Sequence, residues 1–440
     1  MMKLKEIKIN NLFGSISPTI DFCDNIKIIY GKNGSGKTTI LKIINCIISG
    51  QFHQLSRISF ENITCNFENN RTLSIMKGVK NKSTDKKNDC ENILSITING
   101  KKVTDITDDA DIEDIKIPLA FIEREISELE RVGEREWRNL SSGALMSISE
   151  VLNRYGDKFS WHKPRKQMLW HKEFFNQIDV KFIESQRLMT FNTLNEKNTF
   201  FKGSGFRYVD AVSTYSSELR SVIKDKLSES VQISQNLDSS FPKRLLDKDD
   251  KFEYNKDAII DLAQKVVDAR NNLEKSGLIG NANDIIVQEQ QMSDIERKAI
   301  YLYLKDTLEK FKVFDDLEKK ITLFTKILNK KFEGNKFIAV SKESGIEVFT
   351  GNKSEKIDAT LLSSGEQHEI VLLYNLIFKI SQNSLVLIDE PEISLHIDWQ
   401  QDFLDDLEAI SELSKPQFII ATHSPSIVGS RLNFSQEILI

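Results

Sequence analysis

The chain has 440 residues, 40% of them hydrophobic and 28% charged, which gives ample capacity for a buried core and length for about three domains. Its formal net charge of −5 excludes a global basic field drawing it to nucleic acid or a membrane surface, though a local basic patch stays open. The four cysteines (Cys23, Cys46, Cys65 and Cys90) stand singly, without Cys-x-x-Cys spacing, and read as buried or surface thiols of a reducing cytosol. The N-terminus leads into alternating residues rather than an apolar signal core. No stretch approaches the roughly 18–20 apolar residues of a membrane span, so a cytosolic protein without a membrane partner is expected.

Leu4, Ile7 and Ile9 alternate with polar residues and predict a strand, and Ile26-Lys27-Ile28-Ile29-Tyr30 predicts a buried one. From Lys37 to Ile48, Ile40, Leu41, Ile43, Ile44 and Ile47 recur at helical spacing. Residues 57–100 read as β-rich, with strands over Arg57–Glu68, Thr72–Met76 and Ile93–Ile98, and a hairpin turn at Asn99-Gly100. The polar stretch Lys77–Asn92 between them reads as a loop. Residues 105–180 read as mostly helical, with Leu140-Ser141-Ser142-Gly143-Ala144 as a helix N-cap. Trp161 to Lys166 and Trp170-His171-Lys172 form a basic, aromatic-dotted stretch, either a solvated face or a docking or nucleic-acid surface.

Val180–Glu184 returns as a strand. Residues 208–331 carry a helical pattern with a break at 236–251, clearest over 284–329, and two antiparallel arms of about 40 residues would project only ~60 Å. Residues 336–350 read as a β-hairpin, followed by helix 365–380, strand 384–389, helix 397–412 and strand 417–422. The sum is an α/β fold in which 1–190 and 332–440 assemble one head, split by a helical insertion over 191–331.

The chemistry concentrates in a few segments. Gly31-Lys32-Asn33-Gly34-Ser35-Gly36-Lys37-Thr38, followed by Thr39, sits between a strand and a helix, the context a phosphate-binding loop requires. Its glycines turn backbone N–H groups inward around a β-phosphate, Lys37 neutralises β/γ oxygens, and the Thr38 hydroxyl is a ligand for Mg²⁺. Leu385-Val386-Leu387-Ile388-Asp389-Glu390 is an apolar run ending in two acids. A strand buried on both faces delivers them beside the phosphates, Asp389 to hold Mg²⁺ through water and Glu390 to polarise the attacking water. Ile419-Ile420-Ala421-Thr422-His423 is a second buried strand, ending in a histidine that is either a satisfied structural residue or a site residue.

With Phe182-Ile183-Glu184-Ser185-Gln186-Arg187, Leu362-Ser363-Ser364-Gly365-Glu366-Gln367 and Ser394-Leu395-His396, these motifs span nearly the whole chain. The chain resembles ABC-type ATPases of the OLD-like group found in prokaryotic anti-phage systems. Spacing and length lean toward the AriA-type subunits of PARIS systems, then the PtuA-type subunits of Septu systems. The resemblance implies ATP and Mg²⁺ as cofactors. It makes Gln186 a Mg²⁺ ligand, or else an ordinary loop glutamine, and gives His423 the γ-phosphate. Ser363, Ser364, Gly365, Glu366 and Gln367 become a signature turn that completes the partner subunit's site in a head-to-head dimer or an oligomer of such dimers. It further implies a phage-encoded trigger and an effector nuclease, of Toprim type on the AriA pattern and HNH type on the PtuA pattern. No acidic cluster follows His423 and the histidines are scattered, so the nuclease is expected on another polypeptide. The rival reading is a RecF-like or double-strand-break-repair-like ATPase that clamps DNA directly. The acidic net charge and short insert count against it, as the insert's size counts against a transporter subunit.

Overall fold

The computed structural model describes residues 2–22, 25–81, 90–107, 126, 129–133, 136–140, 143, 145–147, 150–151, 166–176, 178–184, 189–191, 208–247, 256–280, 292–332, 336–351, 355–393, 395–429, 431 and 434–438. The chain divides into two compact units, Met1–Val209 with Lys379–Ile440, and Asp210–Phe378.

The first unit opens with β1 (Leu4–Asn10), β2 (Thr19–Asp21), β3 (Ile26–Tyr30), α1 (Lys37–Ser49), α2 (Phe52–Ser56), β4 (Asn62–Phe67), β5 (Thr72–Asn81), β6 (Cys90–Ile98) and β7 (Lys101–Thr107). It continues through β8 (Leu129–Arg131), β9 (Glu136–Asn139), β10 (Leu145–Ser147), α3 (Lys166–Phe175), β11 (Val180–Ile183), β12 (Met189–Phe191) and β13 (Tyr208–Asp210). The second unit comprises α4 (Ala211–Leu246), α5 (Lys256–Lys275), α6 (Asp294–Lys312), α7 (Asp315–Lys331), β14 (Lys336–Ser341), β15 (Gly345–Thr350), β16 (Glu355–Ile357) and α8 (Ser364–Phe378). The chain then returns to the first unit with β17 (Leu385–Asp389), α9 (Ile397–Ser414), β18 (Gln417–Thr422), α10 (Pro425–Val428) and β19 (Ser435–Glu437).

Two sheets organise the first unit. One is antiparallel, in the order β2-β1-β4-β5-β6-β7. The other is parallel, in the order β11-β17-β18-β3-β19. Helix α1 is apolar nearly all round, and a helix of that kind must be covered on more than one side. Its Ile40, Ile43, Ile44 and Ile47 share one core with Ile7, Ile63 and Leu73 of the antiparallel sheet and with Leu387 and Ile419 of the parallel one. Strands β17 and β18 are buried at every position, which is why they read as unbroken apolar runs rather than alternating ones. Asn99-Gly100 makes the expected turn between β6 and β7, with both residues at positive φ (49° and 77°).

Several expectations are corrected here. Lys77–Asn92 is not simply a loop: β5 and β6 stay paired out to Asn81 opposite Cys90. Among the described residues, the stretch read as mixed and mostly helical supplies three strands, β8, β9 and β10, as well as the helix α3. Of the Leu140–Ala144 motif only Leu140 and Gly143 (φ 68°) are described, between the antiparallel strands β9 and β10, and the rest of the expected helix cap lies outside the described residues. Where the aromatic stretch before β11 is described, Phe174 and Phe175 are buried while Lys172 is exposed, and residues 161–165 lie outside the described residues. His171 packs edge-on to Phe52 at 5.7 Å, Phe174 and Phe175 meet Phe67, and the His171 Nε2–H donates to the Ile47 carbonyl at 2.9 Å. Burial pushes the His171 imidazole below its ordinary range, so this basic-looking residue is built to stay neutral. Cys46 and Cys65 are free, buried thiols, pushed up to about 12 by burial and therefore unreactive.

In the second unit the helical segment is not a pair of 40-residue arms. Among the described residues four helices fall in it, and α4 runs on into the expected 236–251 break, carrying Pro242, before it ends at Leu246 inside that stretch. The expected hairpin is present as β14–β15, paired from Lys336 opposite Thr350 to Ser341 opposite Gly345. This unit also takes in the hairpin and the Ser363–Gln367 turn, which the sequence reading assigns to a C-terminal lobe over 332–440. An aromatic stack explains the grouping: Tyr215 of α4 lies on Tyr374 of α8 at 4.5 Å, and Phe324 of α7 meets Phe378 at 5.5 Å. Lys331 and Glu369 form an ion pair between α7 and α8 in which each side chain is 1% exposed. Removing one member of such a pair costs about 3–5 kcal/mol, because the charge left behind is out of water. Glu369→Ala should therefore lower stability by about that amount in urea unfolding, and Lys331→Met with Glu369→Leu should recover most of it. A loss under about 1 kcal/mol in the single variant would refute a structural role for the pair.

Candidate functional site

Strand register gathers the motifs at one edge. In the parallel sheet, Ala421 lies opposite both Asp389 and Ile29, and Thr422 lies opposite Tyr30. The phosphate loop, the two acids and His423 thus all leave the carboxyl ends of adjacent strands, where parallel sheets bind ligands. The histidine strand β18 lies between the acid strand and the loop strand, an order that sequence spacing does not reveal.

In the loop, Gly34 and Gly36 have φ of 85° and 87°, a region that excludes most side chains. Lys37 is buried, and its Nζ donates to the carbonyls of Gly31 at 2.9 Å and Lys32 at 3.0 Å, which folds the loop around its own cation. Ser35 is fully buried, with its hydroxyl oxygen unpartnered. Asn33 and Gly34 are exposed, and Thr39 follows Thr38 in the first turn of α1.

The Thr38 hydroxyl donates to Asp389 Oδ1 at 2.9 Å, bringing together two of the three residues expected to hold Mg²⁺. Gln186, the third, lies outside the described residues. Burial pushes the Asp389 carboxyl above the ordinary carboxylate range against the hydrogen bond from Thr38, and Glu390 adds to the rise. A carboxylate that is costly to ionise alone is suited to a cation. A hydroxyl and a carboxylate oxygen are hard donors that fit Mg²⁺, which is usually held by one or two carboxylates and substrate phosphates. Among the described residues no cluster of three or more His, Cys, Asp or Glu offers a rival metal site.

Glu390 has φ 44°, uncommon for a residue other than glycine, and its N–H donates to the Ala421 carbonyl at 2.8 Å. The turn directs its carboxylate toward His423, whose Nδ1 lies 3.8 Å from Glu390 Oε1. The sequence reading gives Glu392 no role, yet this buried residue holds the histidine. Its Oε1 accepts the His423 backbone N–H at 2.8 Å and lies 3.0 Å from Nδ1. Gln400 ties the same two loops together, donating to the Leu395 carbonyl at 3.0 Å and accepting from the Ser424 hydroxyl at 2.7 Å. The only signal for this in the sequence is the third acid of Asp389-Glu390-Pro391-Glu392.

In the second unit, Ser363 and Ser364 are exposed at the start of α8. Ser363 and Glu366 close a reciprocal capping box. The Glu366 N–H donates to Ser363 Oγ at 3.3 Å, and Glu366 Oε2 accepts the Ser363 N–H at 2.7 Å. Lys336 donates to both Glu366 oxygens, at 2.8 and 2.6 Å. The Gln367 side chain donates to the Leu362 carbonyl at 3.1 Å. Glu366 and Gln367 therefore shape the turn, and the Ser364 side chain beside them is exposed.

Over 89 residues (20% of this chain but only 17% of the relative), the sequence is 32% identical to the Retron Vc95 probable ATPase of Vibrio cholerae serotype O1 biovar El Tor. Among solved structures, the Smc head domain from Pyrococcus furiosus, bound to the C-terminal domain of ScpA, aligns with 97% of this chain and 91% of its own at 14% identity and TM-score 0.33. The SMC head domain from Thermotoga maritima aligns over the same shares at 11% identity and TM-score 0.36. Likenesses this distant carry no functional inference. The AAA ATPase domain model matches residues 2–428, almost the full chain, and the protein belongs to that family of ATPases.

Proposed function

We propose that the protein is a slow, regulatory ATPase whose heads dimerise around two ATP molecules and thereby hold or release a partner effector nuclease in anti-phage defence. The observation that carries the reading is the convergence of Thr38, Asp389, Glu390 and His423 on one sheet edge beside the phosphate loop. Lys37 and the loop N–H groups bind the β- and γ-phosphates, and Thr38 and Asp389, with Gln186, hold Mg²⁺. The cation, when bound, offsets charge on the phosphates. Glu390 takes the proton of the attacking water, and His423, held by Glu392, contacts the γ-phosphate. The exposed Ser364 hydroxyl and the N-terminus of α8 serve the nucleotide of the partner subunit. The retron relative supports a defence setting, although the likeness covers a small part of it. No helix among the described residues is long and apolar enough to cross a membrane.

Lys37→Ala tests the reading at its root. Charge-assisted hydrogen bonds at about 1.5–3 kcal/mol set the expected loss of ATP affinity at about 10- to 100-fold. Phage protection by the gene expressed with its genomic neighbours should vanish with it. Unchanged ATP affinity by calorimetry would remove the phosphate-loop assignment. Lost affinity with full protection would remove the defence role of the ATPase site.

A further inference from the structure

One charge in the Ser363–Gln367 turn works against the use proposed for that turn. Glu366 stands in the first turn of α8, just after Ser364. Although burial opposes ionisation, the Lys336 ammonium and the two donors of Ser363 hold its carboxyl below the ordinary carboxylate range. The side chain, 17% exposed, is therefore a full negative charge. A carboxylate suits the start of a helix, where unsatisfied N–H groups leave partial positive charge. For the same reason it offsets that charge and repels an incoming phosphate.

Lys336 removes the difficulty. It is the first residue of β14, fixed opposite Thr350, and its ammonium spans both Glu366 oxygens at 2.8 and 2.6 Å. Ser363 donates its N–H and its hydroxyl to Glu366 Oε2 at 2.7 and 2.8 Å, so the carboxylate is held from two elements at once. Among the described residues no other cation pairs with it. The capping box needs only Ser363 and Glu366, so the helix start does not require the lysine. What the lysine adds is the opposite charge. We propose that Lys336 is a positioning residue for the shared site: by neutralising Glu366 it lets the Ser364 turn accept the phosphates of a partner subunit's nucleotide. The proposal rests on reading Ser363–Gln367 as the turn that completes the partner's site, and it adds the residue that fits this turn's charge to that use.

The test uses full-length Lys336→Met, which keeps an apolar stem and removes the charge. At dilutions where the protein is monomeric, calorimetry should show wild-type ATP affinity, because Lys37 and its loop are untouched. ATP-driven self-association and turnover should each fall about 10- to 100-fold, the scale of one lost charge-assisted contact. Lys336→Arg, which still pairs with both carboxylate oxygens, should turn over ATP normally. The deciding variant is Lys336→Met with Glu366→Gln, in which the amide oxygen still accepts from Ser363 and no charge remains. It should recover most of the lost turnover. Equal loss in the single and double variants would mean that the lysine only holds the shape of the turn, and would overturn the proposal. Full turnover by Lys336→Met would overturn it too. If Lys336→Met does not fold, the double variant decides, and it must turn over ATP for the proposal to stand. Full activity of Ser364→Arg would remove the shared-site reading and this proposal with it. An inactive Ser364→Arg beside a fully active Lys336→Met would leave that reading in place and remove the role of Lys336 alone.

Discussion

Glu390→Gln should bind ATP normally and hydrolyse it about 10²- to 10⁴-fold more slowly, the usual contribution of a positioned general base. The substitution preserves shape at a backbone position (φ 44°) already set by the Ala421 carbonyl, so the phosphate loop and the Thr38–Asp389 contact are left in place. Slow hydrolysis then traps the ATP-bound assembly. Taking a dimerisation-linked equilibrium from 1:99 to 99:1 needs about 5.5 kcal/mol, or about 2.7 kcal/mol from each of two nucleotides. A few charge-assisted hydrogen bonds at about 1.5–3 kcal/mol apiece supply that. Sedimentation of the variant with ATP and Mg²⁺ should show a dimer that disperses when nucleotide is removed. Unchanged turnover would place the general base elsewhere, and a monomer saturated with ATP would remove the sandwich.

The second large effect tests whether sites are shared between chains. Ser364 is exposed, at the start of a helix whose capping box uses Ser363 and Glu366 instead. Ser364→Arg should therefore leave α8 folded and the subunit's own Lys37, Thr38, Asp389 and Glu390 intact, so that ATP binds. A bulky cation then stands where the partner's γ-phosphate meets a hydroxyl and a helix N-terminus, and the homodimer should not hydrolyse. Lys37→Ala is dead for the opposite reason. In a mixed dimer both lesions fall in one composite site, and the other site carries neither. Random pairing makes about half the dimers mixed, each with one of its two sites intact, so about a quarter of wild-type activity should return at equal mixing if the sites fire independently. Full activity of the Ser364→Arg homodimer would sink the shared-site reading. Pairing without recovery would mean that the two sites must fire together.

The local chemistry was legible in the sequence because it is carried by short-range constraints. A phosphate loop needs its glycines, its lysine and its hydroxyl at fixed offsets between a strand and a helix, and the structure shows β3 and α1 flanking those residues. Strands buried on both faces must be apolar throughout, which made β17 and β18 readable to within a residue and put Asp389 and His423 at their ends. The capping box at Ser363 and Glu366 was equally legible as a Ser-x-x-Glu pattern, and it went unread.

What the sequence could not supply were relations between segments far apart in the chain. Only the tertiary structure placed β18 between β17 and β3, because strand order depends on crossovers rather than on local propensity. Only it assigned Glu392 and Gln400 to holding His423, since a lone acid or amide looks the same in solvent as in a hydrogen-bonded clamp. The Trp170–Phe175 stretch shows the same limit from the other side. Its charges suggested a surface, but aromatic burial against Phe52 and Phe67 outweighs the few polar groups, whose nitrogen finds the Ile47 carbonyl. Helix boundaries in the second unit moved for a related reason. Polar residues lower helix propensity only slightly per position, so α4 continues to Leu246, part-way into the 236–251 stretch that composition alone marks as a break.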